Sequence, residues 1–221
     1  MKRIVYHGTD HIIEKPLFGY GERHNDYGLA FYCAENIDLA KEWACKEKPN
    51  GIVNKYEVDI DSFRILDLTD KNKYSVLNWI AIILHFRDVD DDIKNQFDIE
   101  LQFLEENYYI DVEKYDVIIG YRADDAYFRF PQAFIRNEIT VEKLEEVYLL
   151  GDLEKQISFK SERSFMQLLF VDYFEVDEEY HQRYIERINK AKKKFSQILN
   201  DERRNTTGRR LRDLIFGEKK R

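Results

Sequence analysis

Residues 3–10, RIVYHGTD, and residues 28–45, GLAFYCAENIDLAKEWAC, decide how this chain is read. Ile4, Val5 and Tyr6 are β-formers, so residues 2–7 read as a strand, with Gly8-Thr9-Asp10 as the turn that ends it. That strand carries His7 to its own C-terminal edge. A polar loop punctuated by Gly19, Gly21 and Gly28 follows, and residues 29–34 (LAFYCA) read as a second strand. Asn36 or Asp38 then caps a helix running to about residue 46, with Ile37, Ala40 and Ala44 on one face.

Working outward, residues 52–60 (IVNKYEVDI) and 63–68 (FRILDL) read as consecutive strands parted at Asp61-Ser62. Apolar spacing predicts helices over residues 75–87 and 91–107, the second through Ile93, Phe97, Leu101 and Leu104. Residues 115–123 (YDVIIGYRA) read as a buried strand, residues 128–134 as a short helical or loop element, and residues 140–146 as a helix. VYLLG (147–151) and EKQISFKS (154–161) read as two further strands. From about residue 177 the chain becomes a long charged helix carrying Tyr184, Ile188, Ala191, Phe195 and Ile198 as one apolar stripe, with a break over residues 205–212. The expected class is α+β, with residues 1–176 as one domain and residues 177–221 as a basic helical extension.

The 221 residues, 43% of them hydrophobic and 14% aromatic, suffice for one buried core. A net charge of −8 hides an asymmetry: residues 183–221 hold 14 Lys and Arg against 5 Asp and Glu, leaving 21 against 38 in the remainder. Such a tail suits something acidic, whether nucleic acid, an acidic partner or the body of the protein itself. Cys33 and Cys45 lack metal-like spacing and fit reduced thiols. His11, His24, His85 and His181 are scattered, so no metal is expected. Residues 1–15 carry no apolar signal-peptide core, and the longest apolar run, residues 76–86, is about half the roughly 20 residues that a membrane span needs. The expected compartment is the cytoplasm.

YHGT (6–9), then GLAFYCAENIDLAKEWA (28–44), then KQISFKSERSFMQLLF (155–170) occur in an order that resembles the ADP-ribosyltransferase superfamily. The likeness is to the branch containing diphtheria toxin and the poly(ADP-ribose) polymerases, and most of all to short bacterial proteins of unknown function sharing YHG, WA and ADD segments. It covers residues 4 to about 170 and implies two packed antiparallel or mixed sheets forming an NAD cleft, with flanking helices. NAD is then the substrate. By this resemblance His7 and Thr9 hold ribose hydroxyls, the backbone of Gly8 pairs with the nicotinamide carboxamide, and Tyr32 and Trp43 sandwich the ring. Ala34 and Ala40 occupy small-residue positions of the NAD pocket.

Gln156 stands where many members carry glutamate, and an amide neither stabilises an oxocarbenium-like ribose as a carboxylate does nor deprotonates a nucleophile. Transfer of a single ADP-ribose unit, not polymer growth, is the expected reaction. Glu154, on the same strand face as Gln156, and the pair Asp124-Asp125 are candidates for the missing charge, the pair being equally readable as turn caps. The resemblance implies an acceptor that is protein, RNA or DNA, and by analogy a toxin with an antitoxin or regulator, or a phage-defence effector. Two alternatives stay open: a non-catalytic module that binds NAD or a partner, and an NAD glycohydrolase.

Overall fold

The computed structural model describes residues 2–123, 127–149 and 155–217. Its strands are β1 (Lys2–Thr9), β2 (Phe31–Cys33), β3 (Gly51–Asp59), β4 (Ile65–Asp67), β5 (Val117–Tyr121), β6 (Lys155–Phe159) and β7 (Leu169–Val176). Its helices are α1 (Ile37–Ala44), α2 (Val76–Phe86), α3 (Asp91–Gln96), α4 (Asp98–Tyr108), α5 (Arg129–Ile135), α6 (Val141–Leu149), α7 (Glu162–Met166), α8 (Glu179–Glu202) and α9 (Leu211–Phe216). The class is α+β with two sheets. One has the order β1-β3-β7 and is antiparallel throughout; the other has the order β2-β6-β5-β4, with only β4 and β5 parallel.

Strand alternation sets up the layers, since successive side chains point to opposite faces. Val5, Tyr56 and Val58 of the first sheet meet Phe31, Cys33, Ile119, Ile157 and Phe159 of the second in a shared core. On the far side of the first sheet, α1 lays Ala40 and Ala44 against Val53 and Val176. On the far side of the second, Trp79, Ile80, Ile83, Phe130 and Phe134 build the larger helical core.

Four elements differ from the sequence expectation. β1 continues through Gly8 and Thr9, which pair with Val53 and Ile52, so the turn begins only at Asp10. The helix expected over residues 91–107 is broken at Phe97, whose N–H closes the first segment on the Ile93 carbonyl. Residues 147–149 of VYLLG, the part that is described, are helix and not strand: α6 runs to Leu149, because Leu144, Val147 and Tyr148 recur at helical spacing and are all buried. β7, to which no strand was assigned, is an edge strand with Leu169, Val171 and Tyr173 exposed, and such exposure erases the alternation that marks a half-buried strand.

The basic tail lies on the body. Ala191 and Leu211 enter the helical core, Arg187 pairs with Glu42 at 2.7 Å, Arg209 with Glu142 at 3.0 Å and Arg212 with Glu100 at 3.2 Å. Buried Glu202 accepts the Thr140 N–H at 2.8 Å. Part of the tail's positive charge is thus neutralised by carboxylates of the same chain. Among the described residues no helix is long and apolar enough to cross a membrane.

Candidate functional site

A cleft of about 550 Å³ opens where β1 and β2 part, within the range of small-molecule sites. β1 pairs through its backbone with the residue just after β2 in an isolated bridge, in which Tyr6 N–H donates to the Ala34 carbonyl at 2.8 Å and Ala34 N–H returns to the Tyr6 carbonyl at 2.9 Å. Beyond it β2 has turned into α1. Backbone groups two residues apart on a strand point the same way, so the N–H and C=O of Gly8 face the side where the partner strand has ended. Gly8 lines the cleft there, beside His7 and Thr9.

Helix α1 begins where Asn36 accepts the Asp38 N–H at 2.9 Å, a local cap legible in the sequence. Its small residues let it press on the sheet: a Cβ on Gly8 would stand 2.0 Å from the Ala40 carbonyl oxygen, and one on Gly51 2.4 Å from that of Ala44. This contact brings Ala40 and Trp43 to the cleft, which Tyr32 and Ala34 also line. Trp43 already carries cations, with the Arg122 guanidinium carbon 3.6 Å and Lys46 Nζ 4.8 Å from its ring centroid.

His7 stacks on Phe31 with centroids 4.2 Å apart, and its Nδ1 lies 2.7 Å from the Tyr32 carbonyl. A carbonyl only accepts, so Nδ1 carries the hydrogen and the neutral ring keeps Nε2 as an acceptor. Burial pushes the imidazole down to about 4 from its ordinary 6.5, against the Tyr32 bond. The folded protein therefore binds that proton more weakly than the unfolded chain. The stabilisation is whole above pH 6.5 and is lost as pH falls towards 4, by no more than about 3 kcal/mol. Urea titrations of wild-type protein and His7→Gln at several pH values across this interval are expected to give stabilities that diverge with pH, and parallel curves would contradict the half-buried neutral ring.

Tyr32 is locked by its hydroxyl, which donates to the Gly28 carbonyl at 2.6 Å and accepts the Tyr27 N–H at 3.0 Å. Burial pushes its phenol well above the ordinary range, so it stays neutral. Thr9 Oγ1 lies 3.5 Å from His11 Nδ1, whose ring bonds Asp10 at 2.7 Å.

Gln156, 7% exposed on β6, also lines the cleft. Its Nε2 donates to Asp26 Oδ2 at 2.8 Å and reaches the Tyr121 carbonyl at 3.4 Å. Asp26, 6% exposed, further accepts the Ala123 N–H at 2.9 Å on Oδ2 and Arg87 Nη1 at 2.9 Å on Oδ1. Arg87 Nη1 also bonds the Ala123 carbonyl. Burial pushes the Asp26 carboxyl up, opposed chiefly by the Arg87 charge.

Every expected residue that is described, namely His7, Gly8 and Thr9 from β1, Tyr32, Ala34, Ala40 and Trp43 from β2 and α1, and Gln156 from β6, lines this one cleft. Asp124, Asp125 and Glu154 lie outside the described residues. The cleft also contains Asp26, Arg87 and Arg122, which sequence reasoning passed over. Arg87 directly follows the apolar run of α2, a faint signal for a buried charge. Asp26 precedes Tyr27-Gly28 with nothing local to mark it. Among the described residues no group of three or more His, Cys, Asp or Glu side chains is arranged to hold a metal ion.

The family model that matches, over residues 3–170 and hence over every strand of the cleft, is described as Protein of unknown function (DUF3990). No curated protein and no solved structure matches the chain.

Proposed function

The chain belongs to the DUF3990 family, and from the cleft spanned by that match we propose that it is an NAD-dependent mono-ADP-ribosyltransferase acting on a macromolecular acceptor. The observation that carries the reading is convergence: three sequence segments, His7–Thr9, Tyr32–Trp43 and Gln156, separated by up to about 150 residues, line one pocket. Their chemistry suits one ligand. The outward amide of Gly8 pairs with a carboxamide, Tyr32 offers a flat face to a pyridinium ring, Trp43 offers a second where the ring takes the place of the Arg122 guanidinium now stacked 3.6 Å from its centroid, and His7 Nε2 accepts from a ribose hydroxyl.

The bond between ribose C1′ and nicotinamide nitrogen breaks with its electron pair passing to the ring, which leaves as neutral nicotinamide. The oxocarbenium-like ribose is captured by an acceptor nucleophile, whose proton goes to solvent. Residues of the cleft contribute by holding NAD in one geometry.

Incubation of purified protein with labelled NAD and separated protein and RNA fractions of a cell lysate tests this. Nicotinamide release with label on one fraction is expected, and His7→Ala is expected to lower both on the order of 100-fold or more. Unchanged activity in that variant overturns the role of His7. The uncharged Gln156 favours a second reading, a module that binds NAD without cleaving it; calorimetric binding with no nicotinamide release would establish that instead. Free ADP-ribose formed without any acceptor would make the protein an NAD glycohydrolase.

A further inference from the structure

We propose that Asp26 is a positioning residue of the cleft: it fixes the amide of Gln156 with the nitrogen turned inward and the oxygen left to accept, and it supplies the charge behind that oxygen. The inference rests on reading the cleft as an NAD site.

The geometry leaves the amide one orientation. Gln156 Nε2 meets Asp26 Oδ2 at 2.8 Å and the Tyr121 carbonyl at 3.4 Å, neither of which can donate in the ionised carboxylate and carbonyl forms, and the Tyr27 hydroxyl beside the amide already gives its hydrogen to the Tyr121 carbonyl at 2.7 Å. A flipped amide would set its oxygen against both, in a site where each side chain is more than nine-tenths buried. The ionised form of Asp26 is the one its surroundings address, because Arg87 Nη1, Ala123 N and Gln156 Nε2 all donate to it. With both amide hydrogens taken, Gln156 offers the cleft an acceptor oxygen, the same service one oxygen of a glutamate would give a ribose hydroxyl. The hydrogen bond to a carboxylate polarises the amide and raises the negative character of that oxygen. A negative charge thus sits one hydrogen bond behind Gln156, on the loop before β2, instead of on β6.

This arrangement makes a counter-intuitive substitution informative. Gln156→Glu restores the residue of many related enzymes, yet here it faces Asp26 across 2.8 Å with a second carboxylate, and like charges at that distance cannot both ionise. Nicotinamide release is therefore expected to fall in Gln156→Glu. Asp26→Asn is expected to lower kcat roughly 10- to 100-fold with KM within about threefold, since orientation for the bond-breaking step is lost while the walls of the pocket remain. In the double variant the charge is moved from position 26 to position 156, and at least about tenfold of the Asp26→Asn loss is expected to return.

A purely structural Asp26 would give another pattern: kcat and melting temperature falling together, and no recovery when Gln156→Glu is added to Asp26→Asn. A double variant no better than Asp26→Asn, or a folded Asp26→Asn with unaltered kcat, overturns the proposal. A second measurement needs neither turnover nor a stable Asp26 variant. In the wild-type protein the side-chain amide protons of Gln156, assigned by their disappearance in Gln156→Met, should exchange slowly and resonate away from those of solvent-exposed glutamines. Rapid exchange at exposed-glutamine positions would also overturn it. Wild-type protein that neither binds NAD in calorimetry nor releases nicotinamide, while its Gln156 amide is held in this way, would sink the NAD reading and leave the orientation of Gln156 standing.

Discussion

Gly8→Ala is expected to cost about 3 kcal/mol or more of folding free energy and to lower Tm by roughly 6–12 °C. The added methyl would stand 2.0 Å from the Ala40 carbonyl oxygen and 2.8 Å from the Ala44 nitrogen, both backbone atoms of α1, which no rotamer change can clear. Relief requires α1 to lift from β1 and β3, and Gly51, whose Cβ would stand 2.4 Å from the Ala44 carbonyl oxygen, shows how the whole helix depends on that approach. The sequence reading assigned Gly8 a role towards ligand, through a backbone left open by the missing side chain. Its missing Cβ in fact points at the helix, while its N–H and C=O face the cleft. Gly19→Ala is the matched control: nothing lies within 4 Å of its new methyl, so only the positive φ of 82° counts, about 1 kcal/mol. Equal losses for the two variants in thermal unfolding would refute the helix contact as the cause. Because α1 also carries Trp43, under the proposed reading of the cleft as an NAD site Gly8→Ala is expected to weaken NAD binding at temperatures where the protein remains folded.

Lys160→Met is expected to cost about 3 kcal/mol and to disorder residues 26–29, a loop from which Asp26 lines the cleft. The Lys160 side chain is 2% exposed, and its Nζ donates to the Tyr27 carbonyl at 2.7 Å, to the Leu29 carbonyl at 3.3 Å and to Glu113 at 2.9 Å. Methionine fills much the same volume but leaves two inward carbonyls without a donor. The loop they belong to carries Asp26 and supplies both hydrogen-bond partners of the Tyr32 hydroxyl, so under the proposed function nicotinamide release should fall with stability. Glu113 is 66% exposed at its side chain, and Glu113→Gln is expected to cost under about 1 kcal/mol. Urea unfolding of the two variants separates the contributions; a loss in Glu113→Gln matching that in Lys160→Met would mean that the ion pair, not the carbonyls, holds the loop.

Much of the frame was legible because it is written in local chemistry. The β-formers before His7, the Asn36 cap, the small face of α1 and the apolar run of β5 each report their own element. VYLLG failed for an equally local reason: a short apolar run fits a buried helix as well as a buried strand, and the neighbours Leu144 and Phe130 decide which. The site divides in the same way. His7, Gly8, Tyr32, Trp43 and Gln156 carry motif chemistry in recognisable order, whereas Asp26, Arg87 and Arg122 acquire their place only through segments up to 130 residues away.

Strand β6 holds both halves of the matter. Alternation in KQISFK by itself determined that Gln156, Ser158 and Lys160 share one face and that Ile157 and Phe159 share the other. On that pattern the polar face belongs in water. Only the tertiary structure decided that it is buried, beneath Tyr27, the loop before β2 and the helical layer, with Gln156 against Asp26 and Lys160 against the loop carbonyls. Periodicity fixes the direction of a side chain because bond geometry is local; what lies in that direction, and therefore whether a polar group meets water or a buried partner, depends on every other segment that packs there.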